Sequence, residues 1–389
     1  MIEKSEWVGL SELSRSEIEQ ISHFLVVQSM RVGRRSDGSG ESVSIRYNVT
    51  DQSCVDFAMS VEEECWKRGA HTLLRPVSYA RERIKLSTKP EDALGEVEPL
   101  LLRMAETVDV DIYIGEYDDP NFTAGLTGRL KLGAPSRQRY RQIMDDRKVR
   151  WAYVGWPIPS AAVGYGIDPQ EFRRIFFNSI RQSFSKDLMS FIKYYADGLK
   201  GKEKVRIIAK DGTDLAFTIK SRPVLSDDST ISDEDVARGD VGLNLPCGEV
   251  FVAPLETTAN GEILFDEVAV PGFGKVTNLK LKFAEGRVVG VSADEGADRF
   301  NAYLEANTGD KDRIAELGIG CNPGAEYTGG SIIVDEKIYG TIHIAIGNNT
   351  GGYHGTNRAS NHLDMIKNMK QGELYVDGKL VMKNGSPAT

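Results

Sequence analysis

The sequence predicts an α/β protein: an N-terminal domain with a doubly wound parallel sheet, and a C-terminal α+β domain rich in antiparallel strands. In the first half, β-branched segments alternate with amphipathic helical segments, which is typical of parallel sheets. In the second half, neighbouring β segments pair as hairpins around short turns. A helical stretch over 168–199 separates the two patterns, so we expect domains at 1–200, including this linking helix, and 201–389.

The N-terminal half reads as an ordered series of strands and helices. Apolar periodicity predicts helices over 1–35, 55–68 and 94–108, and β-branched alternation predicts strands over 43–50, 71–77, 109–117 and 147–157. The Asp168-Pro169 pair opens the long helix, and Gly198 and Gly201 close it. Neither GxGxxG nor GxxxxGK[ST] occurs at a strand-to-helix turn, so no motif indicates nucleotide binding.

The C-terminal half contains three predicted hairpins. They cover 205–220, 278–293 and 373–385, and the first turns at Asp211-Gly212. The acidic run at 225–240 reads as an exposed loop. Strands in this half should therefore form antiparallel sheet.

Composition excludes several classes of protein. The net charge of -9 argues against binding to nucleic acid or to an anionic membrane. The four cysteines form no CxxC pair, which argues against a zinc ribbon or a disulfide framework. The N-terminus lacks the apolar core of a signal peptide, and no apolar run approaches the ~18 residues of a membrane helix. We therefore expect a cytoplasmic protein.

Three of the five histidines fall between residues 343 and 362. If GTIHIAIG is a strand, its isoleucines face the core, and His343 points to the other side between small neighbours. His362 and Asp364 are two residues apart, so on a strand they form an N,O chelating pair that suits zinc, manganese, cobalt or iron. A strand histidine that only hydrogen-bonds locally explains His343 equally well.

Three glutamates complete the candidate set. Glu249 follows a proline and a glycine at a sharp turn into a strand, and Glu316 lies among apolar and glycine neighbours that predict partial burial. Buried glutamates are rarely left unpaired. Glu336 lies just before the His343 strand, but Lys337 follows it directly, so an ordinary surface carboxylate is the strongest alternative there.

Together, these residues predict a site for two divalent metal ions. The proposed ligands are Glu249, Glu316, Glu336, His343, His362 and Asp364. Two such ions bind a water, lower its pKa and polarise a carbonyl. A carboxylate must take the proton of that water, and Glu249 and Glu316 are the candidates for this catalytic role.

The same motifs resemble those of the M29 metallopeptidases, the family of aminopeptidase T, aminopeptidase S and PepS. The resemblance runs in order through KDGTDLAFTIK, NLPCGEVFVAPLETTANGEILFD, AELGIGCNPGA, DEKIYGTIHIAIG and NHLD, with a weaker likeness in RWAYVGWPIPSAA and DPQEFRRIFF. It implies a two-domain α/β subunit whose two-metal site, with zinc, cobalt or manganese, falls on the six residues above. It also implies a homodimer that encloses the site and removes N-terminal residues from short peptides.

One departure from the family pattern concerns a tyrosine. The family has this tyrosine shortly after the histidine strand, where the present chain has Thr350, and Tyr353 lies three residues further on. The resemblance extends to 2,5-dihydroxypyridine 5,6-dioxygenase, which opens an aromatic ring with one Fe(II). His343, His362 and Asp364 would also form a two-histidine, one-carboxylate iron site.

Three functions follow as hypotheses. A metal-dependent aminopeptidase uses two metals and a glutamate base, and the presence of all six ligand-type residues favours it. A mononuclear iron ring-cleaving dioxygenase needs one metal and leaves a glutamate as base. A metal-binding protein without catalysis would bind metal and show no turnover.

Overall fold

The structure, a computed structural model, describes residues 12–388, and the chain in this range forms two compact units. One unit contains the chain up to Phe177 together with Ser229–Leu245, and we call it the parallel-sheet unit. The other contains Asn178–Asp228 and the chain from Pro246 onward, and we call it the antiparallel-sheet unit. The predicted division into domains at residue 200 stays a prediction.

The strands and helices are numbered here in chain order. The strands are β1 (Ser42–Asn48), β2 (His71–Val77), β3 (Val110–Gly115), β4 (Arg150–Gly155), β5 (Lys204–Ala209), β6 (Asp214–Thr218), β7 (Val224–Asp227), β8 (Gly242–Leu245), β9 (Glu249–Val252), β10 (Asn260–Val270), β11 (Gly274–Ala284), β12 (Arg287–Ser292), β13 (Ile314–Gly320), β14 (Thr341–Gly347), β15 (His362–Asn368), β16 (Gly372–Val376), β17 (Lys379–Lys383) and β18 (Ser386–Pro387). The α-helices are α1 (Arg15–His23), α2 (Gln52–Lys67), α3 (Tyr79–Thr88), α4 (Glu91–Leu94), α5 (Pro99–Ala105), α6 (Thr127–Leu132), α7 (Ala134–Asp146), α8 (Pro159–Tyr165), α9 (Pro169–Gln182), α10 (Lys186–Leu199), α11 (Asp233–Arg238), α12 (Ala297–Ala306) and α13 (Ile332–Asp335).

The parallel-sheet unit contains a five-stranded sheet in the order β2-β1-β3-β4-β8, and every neighbouring pair is parallel. All six residues of the central strand β3 are buried, whereas β2 at the edge is half exposed. A central parallel strand needs apolar residues on both faces because helices cover both. The predicted N-terminal parallel sheet is therefore confirmed.

Two predicted helices differ from those observed. Residues 1–11 of the first lie outside the described residues; α1 begins after Ser14, which caps it together with Glu17, and the chain continues as a π-helix over Phe24–Ser29. The stretch predicted as one helix over 168–199 is two helices, α9 and α10. Ser185 breaks it, because its hydroxyl accepts a hydrogen bond from the Leu188 amide and so caps a new helix.

The antiparallel-sheet unit contains two sheets. An eight-stranded sheet has the order β12-β11-β10-β6-β5-β16-β17-β18, and a five-stranded sheet has the order β15-β14-β13-β9-β7. The three predicted hairpins are confirmed as β5–β6, β11–β12 and β16–β17. The alternate isoleucines Ile342, Ile344 and Ile346 of β14 lie in the core of this unit, which leaves the other face of the five-stranded sheet for polar side chains.

The expectation of an exposed acidic loop over 225–240 is wrong. Residues Val224–Asp227 form the edge strand β7, Asp227 is buried, and Asp233–Arg238 form α11 with a Ser232 capping box. The run is acidic because Asp233 and its two neighbours occupy the first turn of α11, where negative charge is favourable. Of the helices in the described part of the chain, none has the length and apolarity needed to cross a bilayer.

Candidate metal centre

All six predicted site residues lie in the antiparallel-sheet unit, on or beside its five-stranded sheet. Glu249 begins β9, Glu316 lies in β13, and His343 lies in β14. His362 and Asp364 lie two residues apart in β15. Because alternate residues of a strand share a face, the neighbouring strands bring these side chains to one surface of the sheet.

Gly318 makes room for His343. The two residues are paired across β13 and β14, and the imidazole of His343 lies directly over Gly318. A Cβ atom at Gly318 would lie 1.9 Å from Nε2 of His343, so only glycine permits this position of the ring. The histidine thereby reaches the two glutamates on its far side.

A first group of ligand-type atoms comes from Glu249, Glu316 and His343. These atoms all lie within 4.8 Å of one another, and the three side chains are buried. Nε2 of His343 is 3.3 Å from Oε2 of Glu249 and 3.3 Å from Oε1 of Glu316. Burial raises the pKa of Glu249 to about 8, although the positive charge of Lys337 opposes this rise.

A second group comes from Glu316, His362 and Asp364, again within 4.8 Å. Nε2 of His362 is 3.1 Å from Oε2 of Glu316 and 3.2 Å from Oδ1 of Asp364. Nδ1 of His362 donates a hydrogen bond to the carbonyl of Asn348 at 2.7 Å. Because this carbonyl can only accept, Nδ1 holds a proton, and Nε2 is the ring nitrogen that faces the carboxylates.

Glu316 belongs to both groups. One of its oxygens faces His343, and the other faces His362. Burial alone would raise the pKa of this carboxyl, but the hydrogen bonds from the two histidines outweigh burial and lower it below its usual range. Glu316 is therefore an ionised carboxylate shared between two sets of ligand atoms, 3% exposed.

Lys337 is an internal cation of the site. Its side chain is fully buried, and Nζ donates to Oε1 of Glu249 at 2.5 Å and to Oε1 of Glu336 at 2.6 Å. Oδ2 of Asp227 lies 3.3 Å from the same nitrogen. Burial lowers the pKa of a lysine, but the charges of the three carboxylates outweigh it and raise the pKa of Lys337 well above its ordinary value.

Glu336 follows α13 and joins the site through this lysine. Its side chain is 12% exposed, so it is not a surface carboxylate. Burial raises its pKa, the charge of Lys337 opposes that rise, and the charge of Asp364 adds to it. The lysine that made Glu336 look like a surface residue in the sequence is itself part of the cluster.

Tyr353 also reaches the site, and Thr350 does not. The hydroxyl of Tyr353 donates to Oε2 of Glu316 at 2.9 Å, and its ring packs 6.0 Å from that of His362. Burial and the charge of Glu316 raise the pKa of Tyr353 well above 10, so the phenol keeps its proton. The hydroxyl of Thr350 instead contacts the side chain of Asn348.

The arrangement fits divalent metal ions. Oε2 of Glu249 and Oδ1 of Asp364 are buried and accept no hydrogen bond from the residues described. A cluster of buried carboxylates is costly, and metal ions reduce that cost. Carboxylate oxygens and imidazole nitrogens are also the donors that zinc, cobalt, manganese and iron accept.

The sequence matches the model of a known family over residues 37–386, and the description of that family is thermophilic metalloprotease (M29). The chain belongs to the M29 metalloprotease family. The predicted resemblance is thereby confirmed, as is the prediction of a hydrolase that acts on peptide bonds. M29 membership also implies a divalent metal, in agreement with the donor set.

Two solved structures are similar to this M29 chain in fold. Wild-type AmpT from Thermus thermophilus has a TM-score of 0.73 and 18% identity, and the match covers 96% of this chain and 99% of that one. 2,5-dihydroxypyridine dioxygenase from Pseudomonas putida KT2440 has a TM-score of 0.61 and 14% identity, with 97% and 99% coverage. No curated protein matches the sequence.

Sequence reasoning missed Asp227 and Lys337. Asp227 lies in an acidic run that the sequence predicts to be an exposed loop. Its pairing with Glu249 across β7 and β9 is a tertiary contact, which the local sequence does not show. Lys337 looked like a solvated neighbour of Glu336. The signal for Asp227 in the sequence was the short β segment that follows Pro223 and precedes the acidic helix α11.

Proposed function

We propose that this protein is a metal-dependent aminopeptidase that uses two divalent ions to remove N-terminal residues from short peptides. The observation that carries the proposal is the pair of ligand groups that share Glu316. Each group would supply donors for one ion, and Glu316 would contribute an oxygen to each. M29 membership supports the peptidase chemistry.

In this proposal, the first ion would be held by Glu249, Glu316 and His343, and the second by Glu316, His362 and Asp364. Glu336 belongs to neither group; it pairs with Lys337 and interacts electrostatically with Asp364 and His343, so it would supply a further carboxylate beside the ions. Ions held there would lower the pKa of a bound water and polarise the scissile carbonyl. The ions are zinc, cobalt or manganese in this proposal, the metals that such donors favour.

The proton of the attacking water needs an acceptor, and Glu249 fits this role better than Glu316. Burial favours the protonated form of Glu249, and its Oε2 accepts no hydrogen bond. Glu316 is committed to two histidines and Tyr353. Glu249 would take a proton as the new C–O bond forms and pass it to the amine as the C–N bond breaks.

Tyr353 completes the proposed site. Its phenol keeps its proton and lies 2.9 Å from Oε2 of Glu316, so it can donate a hydrogen bond to a substrate oxygen next to that carboxylate. Such a donor stabilises the negative charge that develops on the carbonyl oxygen. We propose that Tyr353 takes the place of the family tyrosine that is missing at Thr350.

The first test is metal content of the purified protein by elemental analysis, with hydrolysis of amino-acid p-nitroanilides and dipeptides. We expect about two divalent ions per chain and hydrolysis that a chelator abolishes and added metal restores. Metal-replete protein that hydrolyses no member of the panel would overturn the aminopeptidase proposal.

The similarity to 2,5-dihydroxypyridine dioxygenase is a similarity of fold. One iron per chain, no hydrolysis, and turnover of dihydroxylated aromatic rings would replace our proposal by the dioxygenase hypothesis. The short-peptide substrate, the homodimer, the cytoplasmic location and the absence of nucleic acid or membrane partners stay predictions, and the same preparation tests the dimer by light scattering.

A further inference from the structure

The segment 348–361 connects β14 to β15 and carries Tyr353, and we call it the tyrosine loop. Within the described chain, its only helical turn is the 3-10 turn Gly351–Tyr353, which His354 ends in the left-handed region at φ 54°. A 14-residue loop with a single short helical turn needs tertiary contacts to hold one conformation. Those contacts decide whether the Tyr353 hydroxyl stays at Glu316.

A buried carboxylate from another part of the unit holds this loop. Glu256, in the connection between β9 and β10, accepts hydrogen bonds at Oε1 from the Thr356 amide at 2.6 Å and from the Asn349 side chain at 3.2 Å. Its side chain is 11% exposed. Glu256 therefore ties two points of the loop, one on each side of Tyr353.

Arg222 completes this contact. Its guanidinium is 8% exposed, lies 2.5 Å from Oε2 of Glu256, and donates to the carbonyl of His354, the residue that follows Tyr353. Burial would raise the pKa of Glu256, but the hydrogen bonds it accepts and the charge of Arg222 lower it, so Glu256 is a carboxylate. An ion pair thus fixes the residue next to Tyr353.

Two buried asparagines of the tyrosine loop, Asn349 and Asn357, connect it by hydrogen bonds to strand β13. Asn349 accepts a hydrogen bond from the Asn357 amide at 2.8 Å, and the Asn357 side chain donates to the carbonyl of Ile314 in β13 at 2.8 Å. Both asparagines are at most 1% exposed. Ile314 is two residues before Glu316, so the loop is fastened to the strand that carries the partner of Tyr353.

We propose that Glu256 is a positioning residue which, with Arg222, holds the tyrosine loop in the conformation that keeps the Tyr353 hydroxyl on Glu316. The catalytic consequence rests on the proposed function. Glu256 acts on the site through this loop, which carries both Tyr353 and Asn348, the residue whose carbonyl accepts the hydrogen bond from His362. If Tyr353 is the residue that Glu256 positions, the effect of Glu256 on turnover should require the Tyr353 hydroxyl.

The experiment is a double-mutant cycle on the metal-replete enzyme with Glu256→Gln and Tyr353→Phe. Glutamine keeps one neutral acceptor and removes the charge that pairs with Arg222. We expect Glu256→Gln to lower kcat about tenfold or more with little change in KM, and to have almost no further effect in the Tyr353→Phe background. An equal fold-loss in both backgrounds would overturn the proposal.

Hydrogen–deuterium exchange of the peptide 348–361 gives a readout that does not depend on activity. We expect faster exchange in Glu256→Gln, and wild-type exchange in the control Glu262→Gln, which breaks an exposed ion pair with Lys280 in the same unit. Wild-type exchange in Glu256→Gln would overturn the proposal even if the enzyme hydrolyses peptides. A wild-type enzyme without hydrolysis, but with the expected exchange, would reject the proposed function and leave the loop contact established.

Discussion

At the scale of single residues, the site is a problem of buried charge. Five carboxylates, those of Asp227, Glu249, Glu316, Glu336 and Asp364, surround one ammonium group and two histidines. Divalent ions bound there would offset the buried negative charge together with Lys337. The lysine donates to Oε1 of Glu249 and to Oε1 of Glu336.

Substitutions of Glu249 and Glu316 should have different effects on metal content and turnover. Glu316→Gln should lower the metal content, because the shared carboxylate serves both groups, and activity should fall with it. Glu249→Gln should keep more of the metal and lower kcat by about 100- to 10,000-fold, the loss typical of a general base. Elemental analysis and kcat of the two variants check this, and full metal content with near wild-type turnover in Glu316→Gln would contradict the shared role.

Removing the buried cation should destabilise the metal-free protein. Lys337→Met leaves the carboxylates of Asp227, Glu249 and Glu336 without their ammonium, at a cost of about 3–5 kcal/mol in the free energy of unfolding. Divalent ions should recover part of this loss. The matched control is Lys367→Met, a lysine that is 2% exposed and pairs with Asp211 instead.

Urea denaturation with and without saturating metal measures both lysine variants. The loss in Lys337→Met should be larger without metal, and the loss in Lys367→Met should be the same in both conditions. If metal changed the loss of unfolding free energy equally in the two variants, the charge of Lys337 would not be coupled to the metal site.

At the scale of elements, the two faces of the five-stranded sheet have different roles: one packs in the core, and the other carries the ligand-type side chains. Its apolar face carries the isoleucines Ile342, Ile344 and Ile346 of β14 into the core, and its other face carries His343 between small residues. The period of two in strands makes both possible in one short sequence. Gly318 in β13 leaves the space that the His343 ring occupies.

Gly318→Ala should displace His343 while the sheet remains. The added methyl group would meet the imidazole at 1.9 Å, so the ring has to leave the first ligand group. We expect metal affinity to fall by about tenfold or more, with an unchanged circular dichroism spectrum. Gly290→Ala in β12 is the control, since its nearest neighbour is the Lys282 side chain at 3.3 Å, and a cobalt titration compares the two.

At the scale of the whole molecule, metal binding and stability are linked through protons. Burial raises the pKa of Glu249 to about 8. Burial would lower the pKa of His343, but its hydrogen bond to Glu316 and the charge of Glu249 raise it to about 9. In the metal-free protein, both groups therefore bind a proton more tightly when the chain is folded than when it is unfolded.

The unfolding free energy of the metal-free protein should accordingly fall as the pH rises. The contribution of Glu249 is complete below about pH 4.5 and is lost by about pH 8, and that of His343 is complete below about pH 6.5 and is lost by about pH 9. Each proton contributes a slope of about 1.4 kcal/mol per pH unit within its window. Urea denaturation between pH 6 and 9 measures the slope of the unfolding free energy against pH. The variant Glu249→Gln should lack the part of this slope that comes from Glu249.

Metal binding should show the opposite trend. Metal ligands must be deprotonated, so binding near pH 7 should release protons, and affinity should rise with pH up to about 9. Isothermal titration calorimetry in buffers of different ionisation enthalpy counts these protons. No proton release at pH 7 would contradict the raised pKa values of Glu249 and His343.

Local patterns in the sequence determined much of this molecule. Alternating and continuous apolar runs predicted the parallel and antiparallel sheets, and the spacing in β14 and β15 predicted which faces His343, His362 and Asp364 would occupy. Such features depend on periodicity and turn residues, which neighbours along the chain define. The ordered motifs of the C-terminal half indicated the M29 family, and the family match confirms it.

Tertiary structure alone decided what surrounds these residues. The burial of Lys337, the approach of Asp227 to Glu249, and the reach of Tyr353 to Glu316 all join segments that are far apart in the chain. A charged residue reads as solvated in a sequence because burial depends on the partners that neutralise it, and those partners lie on other strands. Periodicity could therefore indicate which strand faces carry the ligand-type residues. Only the tertiary structure showed that Lys337 and Tyr353 lie beside them.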